Sequence, residues 1–183
     1  MMKVIFQMSV SLDGYIEGPS REIDWHIVDD EFNAFAVETL RAARLLIMGR
    51  TTYELMASYW PTAPDDDLVK QFMNAKPKLV FSKTLKTVDW QNSRLATGSI
   101  ADEVARLKRD SGEGLLWVGG NALASSFLEL GLLDEIRMIL TPILLGGGNT
   151  VLGGITQRHP LEYVSTRAFN SGNVVVTYRP AAK

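Results

Sequence analysis

Short apolar runs alternate with amphipathic stretches along most of this chain. Lys3 to Val10 carries Val4, Ile5, Phe6, Met8 and Val10, which reads as a first strand. Leu45 to Met48 and Lys78 to Phe81 read as further buried strands. Leu115 to Val118 is a continuous apolar run, as expected of a strand covered on both faces. Helical spacings lie between these runs. Phe32, Phe35, Ala36, Leu40 and Ala43 mark a helix from about Glu31 to Ala43, capped by Asp29 or Asp30. Tyr53, Leu55 and Met56 follow Gly49, and Leu68, Phe72 and Met73 follow the acidic helix start Asp65 to Asp67. Ser99 caps a helix carrying Ile100, Val104 and Leu107, with Asp102 at the capping-box position. Leu123, Phe127 and Leu130 follow the double glycine Gly119-Gly120, with Asn121 as N-cap and Gly131 as the stop.

Ile136 to Leu145 reads as a long strand punctuated by Pro142, and Gly146 to Asn149 as a flexible loop. Leu161 to Ala168 and Val174 to Tyr178 are two strands joined by the turn Asn170-Ser171-Gly172-Asn173. Asp13-Gly14, before Tyr15-Ile16, is a further hairpin signal. Strands alternating with helices, then a terminal hairpin, predict a three-layer α/β/α domain over residues 1–183. Its central sheet would be mostly parallel, with an antiparallel C-terminal edge hairpin.

Composition narrows the chemistry. Hydrophobic content of 46% and charged content of 22% are ordinary globular values. A net charge of −2 with no basic block argues against nucleic acid and anionic membrane as partners. No apolar run reaches the roughly 18 residues of a membrane span, and no signal-peptide pattern opens the chain, so a cytoplasmic protein is expected. The absence of cysteine excludes disulfides, a thiolate nucleophile and a cysteine metal site. His26 and His159 lack metal-ligand spacing, so no metal is expected. There is no GxSxG elbow, no GxxxxGK[ST] loop, and no GxGxxG after the first strand.

Three strand ends remain. Met48-Gly49-Arg50-Thr51-Thr52 offers a glycine, a cation and two hydroxyls at a helix start. Phe81-Ser82-Lys83-Thr84 offers a hydroxyl and a cation, and Val118-Gly119-Gly120-Asn121 offers bare backbone donors. Each taken alone is also satisfied by a tight turn or a surface charge. If the three ends are neighbours, they form a groove outside the carboxyl ends of the strands, where open α/β sheets bind ligands. A dinucleotide with a pyrophosphate and a 2′-phosphate matches that set, with Arg50 and Lys83 favouring NADPH over NADH.

The motifs Ser11-Leu12-Asp13-Gly14-Tyr15-Ile16, Met48 to Glu54, Phe81-Ser82, Trp117-Val118-Gly119-Gly120 and Leu133 to Gly148, in this order, resemble the dihydrofolate reductase-like superfamily. The chain is most similar to the C-terminal reductase domain of the bifunctional riboflavin-biosynthesis deaminase–reductase and its small stand-alone relatives. The resemblance implies an NADPH-dependent reductase, usually a homodimer. It places Gly49, Arg50, Thr51 and Thr52 at the adenosine-side phosphates and Ser82 and Lys83 near the 2′-phosphate. Gly119, Gly120, Asn121 and Ala122 would hold the pyrophosphate, and Asp13 would approach nicotinamide and substrate.

Two departures follow. Counted back from Met48, the helix carboxylate of folate reductases falls on the neutral Asn33; a small register shift would offer Asp30 or Glu31. The zinc deaminase half is absent, and so are the cysteines it requires. The expected activity is hydride transfer from NADPH to a small conjugated heterocycle, a pteridine or aminopyrimidine. Asp13 and then Asp24 are the candidate acid–base groups, and Trp25 and Trp60 the candidate stacking surfaces. The rival expectations are a non-catalytic dimeric nucleotide-binding domain and an enzyme using another phosphorylated ligand.

Overall fold

The computed structural model describes residues 2–65, 67–109 and 112–181. Asp66, in the expected acidic helix start, lies outside them. The elements in chain order are β1 (Met2–Ser11), β2 (Tyr15–Glu17), α1 (Asp30–Ala42), β3 (Ala43–Gly49), α2 (Arg50–Tyr59), α3 (Leu68–Ala75), β4 (Lys78–Phe81) and β5 (Ser93–Leu95). Then come α4 (Ile100–Arg109), β6 (Gly114–Gly119), α5 (Asn121–Glu129), β7 (Glu135–Thr141), β8 (Asn149–Thr150), β9 (Leu161–Ala168) and β10 (Val174–Pro180).

Eight strands form one sheet in the order β5-β4-β3-β6-β1-β7-β10-β9. The first six are parallel, and β10 and β9 add antiparallel pairs at one edge. This is the expected mostly parallel sheet with its terminal hairpin. Two local expectations change. β2 pairs with β8 across the strand ends, so Asp13-Gly14 does not close a β1–β2 ladder. β7 ends at Thr141, because Pro142 has no N–H to extend the ladder. The short β5 carried too little apolar pattern to be read from sequence.

Each face of the sheet has its own helices. Val4, Phe6, Ile47, Leu79, Leu116 and Val118 pack with Val104 of α4 and Ala124, Phe127 and Leu128 of α5. Leu46, Met48 and Val80 pack the other way, with Leu40 of α1, Tyr53 of α2 and Met73 of α3. Fully burying one such side chain contributes about 1.5–3 kcal/mol. Leu130, expected on the buried stripe of α5, is instead exposed, and Leu128 takes its place.

Helix starts divide into two kinds. Asp29 accepts from the Phe32 N–H, Asp67 from those of Val69 and Lys70, and Ser99 with Asp102 forms the expected capping box. By contrast, α2 and α5 begin at Gly49 and Gly120 with no side-chain cap. Asn121 is therefore not the cap; it is the first residue of α5.

Two charged groups are buried, one at the start of β4 and one beside the end of β5. Lys78 donates to the carbonyls of Asn74, Lys76 and Gln91 and lies 4.1 Å from the Trp90 ring centre, tying α3 to β4 and β5. Glu103 of α4 accepts from Arg94, Arg106 and the Thr97 N–H. Burial alone would raise the Glu103 carboxyl, but Arg94, Thr97 and Arg106 outweigh it and bring it down to about 2. A carboxyl lowered from 4.5 adds stability that is present above pH 4.5 and lost as pH falls towards 2. Glu103→Gln should therefore melt lower than the parent at neutral pH. The gap should close between pH 4.5 and about 2 in a calorimetric pH series.

Candidate active site at the strand ends

The three strand ends are neighbours. Gly49 of β3 is level with Phe81 of β4, and Met48 of β3 with Gly119 of β6. From that common edge α2 leaves on one face of the sheet and α5 on the other. Their uncapped first turns thus flank one groove from both sides, each with free N–H groups and a positive dipole end.

The two glycines at these starts differ in kind. Gly120 has φ +96, and a Cβ there would lie 2.3 Å from Thr52 Oγ1. Packing of α5 against α2 therefore already requires glycine at this position. Gly49 has an ordinary φ of −81, and a Cβ there would meet only Leu123 Cβ, at 3.9 Å. Neither backbone nor packing calls for glycine at 49, and its absence of a side chain leaves the start of α2 bare.

The side chains around the groove are unequally free. Arg50 is exposed and weakly paired with Glu54 at 3.8 Å, while Thr51 beside it is also exposed. Lys83 is exposed, with no ion pair among the described residues. The Ser82 hydroxyl is occupied by the Thr84 and Leu85 N–H groups, so Ser82 shapes the turn that carries Lys83. Asn121 is also occupied: it donates to the Thr150 carbonyl and accepts from the Leu152 N–H. What Asn121 and Ala122 present to the groove is backbone. A cavity of about 540 Å³ runs along α5 from Asn121 and Ala122 past Ser125 to Glu129 and Gly154; Gly49, Arg50, Lys83 and Gly119 do not line it. The end of β5 went unnoticed in the sequence. Ala96 donates to the Val80 carbonyl, so Thr97 and Gly98 continue the groove edge beside Ser82, where a second cavity of about 220 Å³ reaches Arg106 and Arg109.

On the other side of β6 the sheet opens. β1 and β6 pair only as far as Phe6 and Val118; β1 then runs on to Ser11 with β7 as its sole ladder partner. Asp13 follows. Its carboxylate accepts from Ser11 Oγ at 2.6 Å, the Gly146 N–H at 2.7 Å and the Leu145 N–H at 3.1 Å. The Ser11 hydroxyl and these amides bring the Asp13 carboxyl down to about 2. These donors hold both of its oxygens, so the candidate acid–base carboxylate also clamps the loop after β7. Asp24 is exposed on the loop before α1.

The two tryptophans are anchored locally. Trp25 donates to the Glu22 carbonyl and stands edge-on to His26. Trp60 sits at the far end of α2, about 15 Å of helix from Arg50, against Met56 and Tyr59. Trp60 thus lies away from the helix start that carries Arg50. Asn33 is exposed on α1, and Glu31 is used by the Asn170 N–H, so no α1 carboxylate takes the buried position expected of a folate-type acid. Among the described residues no group of three or more His, Asp or Glu could hold a metal, and no helix is long and apolar enough to cross a membrane.

The family model described as the RibD C-terminal domain matches residues 2–175, nearly the whole chain. The chain belongs to the RibD C-terminal domain family. That family is the reductase half of a bifunctional protein. Among relatives, YyaP of Bacillus subtilis is 34% identical over 179 residues, covering 96% of this chain and 94% of YyaP. A protein from Shewanella sp. PV-4 assigned to riboflavin biosynthesis superposes with a TM-score of 0.79 at 26% identity, covering 99% and 100% of the two chains. The bifunctional deaminase–reductase of Thermotoga maritima superposes with a TM-score of 0.72 at 16% identity, over 98% of this chain and 56% of that one. Dihydrofolate reductase from Enterococcus faecalis, solved with NADP(H), gives 0.62 at 15% identity, over 98% and 97%. These last two likenesses establish the dihydrofolate reductase-like fold.

In this RibD-type domain the contact between Gly120 and Thr52 locks the two helix starts together. Gly120→Ala should therefore cost about 1–3 kcal/mol through strain and crowding. Adding Thr52→Ser should not relieve it, since the hydroxyl stays, whereas Thr52→Ala should restore part of the loss. Denaturant midpoints of the four proteins check this; full stability in Gly120→Ala would contradict it.

Proposed function

We propose that this protein is an NADPH-dependent reductase that transfers hydride to a small conjugated heterocycle of the pteridine or aminopyrimidine type. The observation that carries the reading is Gly49: a glycine the fold does not need, between bare helix starts and beside Arg50. The donor set fits a dinucleotide. The N–H groups opening α2 and α5 suit phosphate oxygens, and Arg50 and Lys83 suit a 2′-phosphate. Membership of the RibD C-terminal domain family supports reductase chemistry.

The cofactor, when bound, supplies the hydride. The chain's part is to bind, orient and shield. The extension of β1 beyond Phe6 forms one wall of the opening beside β6, where a flat ring can lie against backbone. Asp13 holds the loop after β7 over that opening, which keeps water from the reacting bond. Asp24 is the remaining exposed candidate for moving a proton. Since Asn33 is neutral and exposed, the second reading is a nucleotide-binding domain without turnover. Oxidation of NADPH with any pterin or aminopyrimidine acceptor decides between the two.

Titration calorimetry tests the cofactor directly. NADPH should bind at least tenfold more tightly than NADH, and Arg50→Ala should weaken NADPH by about tenfold while changing NADH less. Gly49→Ala should melt like the parent yet bind NADPH more weakly. Unaltered NADPH affinity in both variants would remove the groove from cofactor binding.

The same reading makes the protein a cytoplasmic homodimer. β9 is the surface that supports this: all eight residues are exposed, including Leu161, Tyr163 and Val164. Its outer edge also carries backbone groups without a ladder partner. Sedimentation equilibrium should show a dimer that Val164→Lys dissociates. A monomeric parent removes the homodimer, and a dimeric Val164→Lys moves the interface elsewhere.

A further inference from the structure

The two ends of the groove treat negative charge in opposite ways. At the cofactor end the helix starts are bare and the nearby side chains include Arg50 and Lys83. At the other end, beyond β1 and β7, the helix start is already filled. Asp29 caps α1 through the Phe32 N–H at 2.8 Å, and Asp30 and Glu31 occupy its first turn. All of residues 12–31 lie on this edge of the sheet, because they connect the carboxyl end of β1 to the start of α1. They hold seven carboxylates, Asp13, Glu17, Glu22, Asp24, Asp29, Asp30 and Glu31, against Arg21 alone. None of the seven is in an ion pair with a described residue.

Two further observations concern what this end accepts. Its large apolar side chains face solvent: Leu12 is 65% exposed, Leu144 70%, Val28 57% and Ile23 47%. Leu12 and Leu144 come from segments joined by the hydrogen bond from the Leu12 N–H to the Ile143 carbonyl. Second, Asn173, at the foot of β10, is fully buried, and its amide NH₂ donates to the Ile27 carbonyl at 2.9 Å. That bond fixes which amide atom is oxygen, and the oxygen has no partner among the described residues. An amide oxygen only accepts, so it takes an N–H or O–H and opposes a phosphate or carboxylate. Ser171 Oγ, in the same turn, and His26 Nε2, in the same loop as Ile27, are also buried without partners among the described residues.

Resting on the reductase reading above, we propose that the acceptor end of the groove takes an uncharged or cationic, unphosphorylated heterocycle with an apolar face and N–H donors. A phosphate dianion brought there meets carboxylates without cationic partners among the described residues, with Arg21 the sole fixed cation on the segment. An apolar ring meets leucine, isoleucine and valine side chains that otherwise face water.

The experiment uses two probes that share one ring and differ by a phosphate. They are 5-amino-6-(5-phosphoribosylamino)uracil, for which the Thermotoga maritima enzyme is named, and its dephosphorylated form. Each is titrated calorimetrically into the NADPH-loaded protein at low and at high ionic strength. The dephosphorylated probe should bind at least about tenfold more tightly at low salt, and the ratio should shrink as salt screens the carboxylates. Asp30→Asn combined with Glu22→Gln should narrow the ratio at low salt. Equal affinity for the two probes, binding of neither included, or preference for the phosphorylated one, overturns the inference. NADPH titration of the same protein separates this outcome from failure of the reductase reading: loss of NADPH binding removes that reading, whereas tight NADPH with no discrimination between the probes overturns only the inference.

Discussion

Everything at the candidate site depends on the parallel register of β4, β3 and β6. Parallel strands carry evenly spaced, slanted hydrogen bonds, so once Met48 is level with Gly119 and Gly49 with Phe81, three chain reversals must occur at one height. Two of those reversals launch helices onto opposite faces. The groove between them is therefore a product of register. A slip of one residue would turn Ile47 and Leu79 away from α4 and α5 and towards α1, α2 and α3, so the core of the sheet also guards the site.

Shape and charge then divide the groove. Glycine starts leave backbone donors unspent on one side, while aspartate and glutamate fill the helix start on the other. The segment after β7 links the two sides. It is held by Asp13 at Leu145 and Gly146, by Asn121 at Thr150 and Leu152, and by Glu129 at Thr156 and Gln157. Leu152 adopts φ +51 within it, an uncommon backbone conformation for a leucine, where its N–H meets Asn121. A strained residue held by a side chain from the cofactor end means that the two ends of the groove share one mechanical element.

The sequence was most legible where a residue's role is local. The caps Asp29, Asp67 and Ser99, the stop at Gly131 and the hairpin turn before β10 follow from chemistry within a few residues. The three strand ends were also legible, because each carries its own glycine, hydroxyl or cation. What stayed hidden depends on partners far along the chain. Asn121 has the composition of a cap and is a clamp, because Thr150 and Leu152 arrive from the loop after β7. Asp13 has the position of an acid and is held ionised by amides 132 and 133 residues away. β5 and β8 are three and two residues long, too short for any periodicity to show.

The place of β1 in the sheet has a consequence during synthesis. It leaves the ribosome before β2–β10, yet its neighbours are β6 and β7. Met2 pairs with Gly114, and Ile5 with Glu135. The run Val4-Ile5-Phe6, entirely buried at the end, must wait unpaired while more than half the chain is made. The nascent protein thus carries a fully apolar segment without its ladder partners, and its yield in a cell rests on whatever shields that segment until residue 141 has emerged.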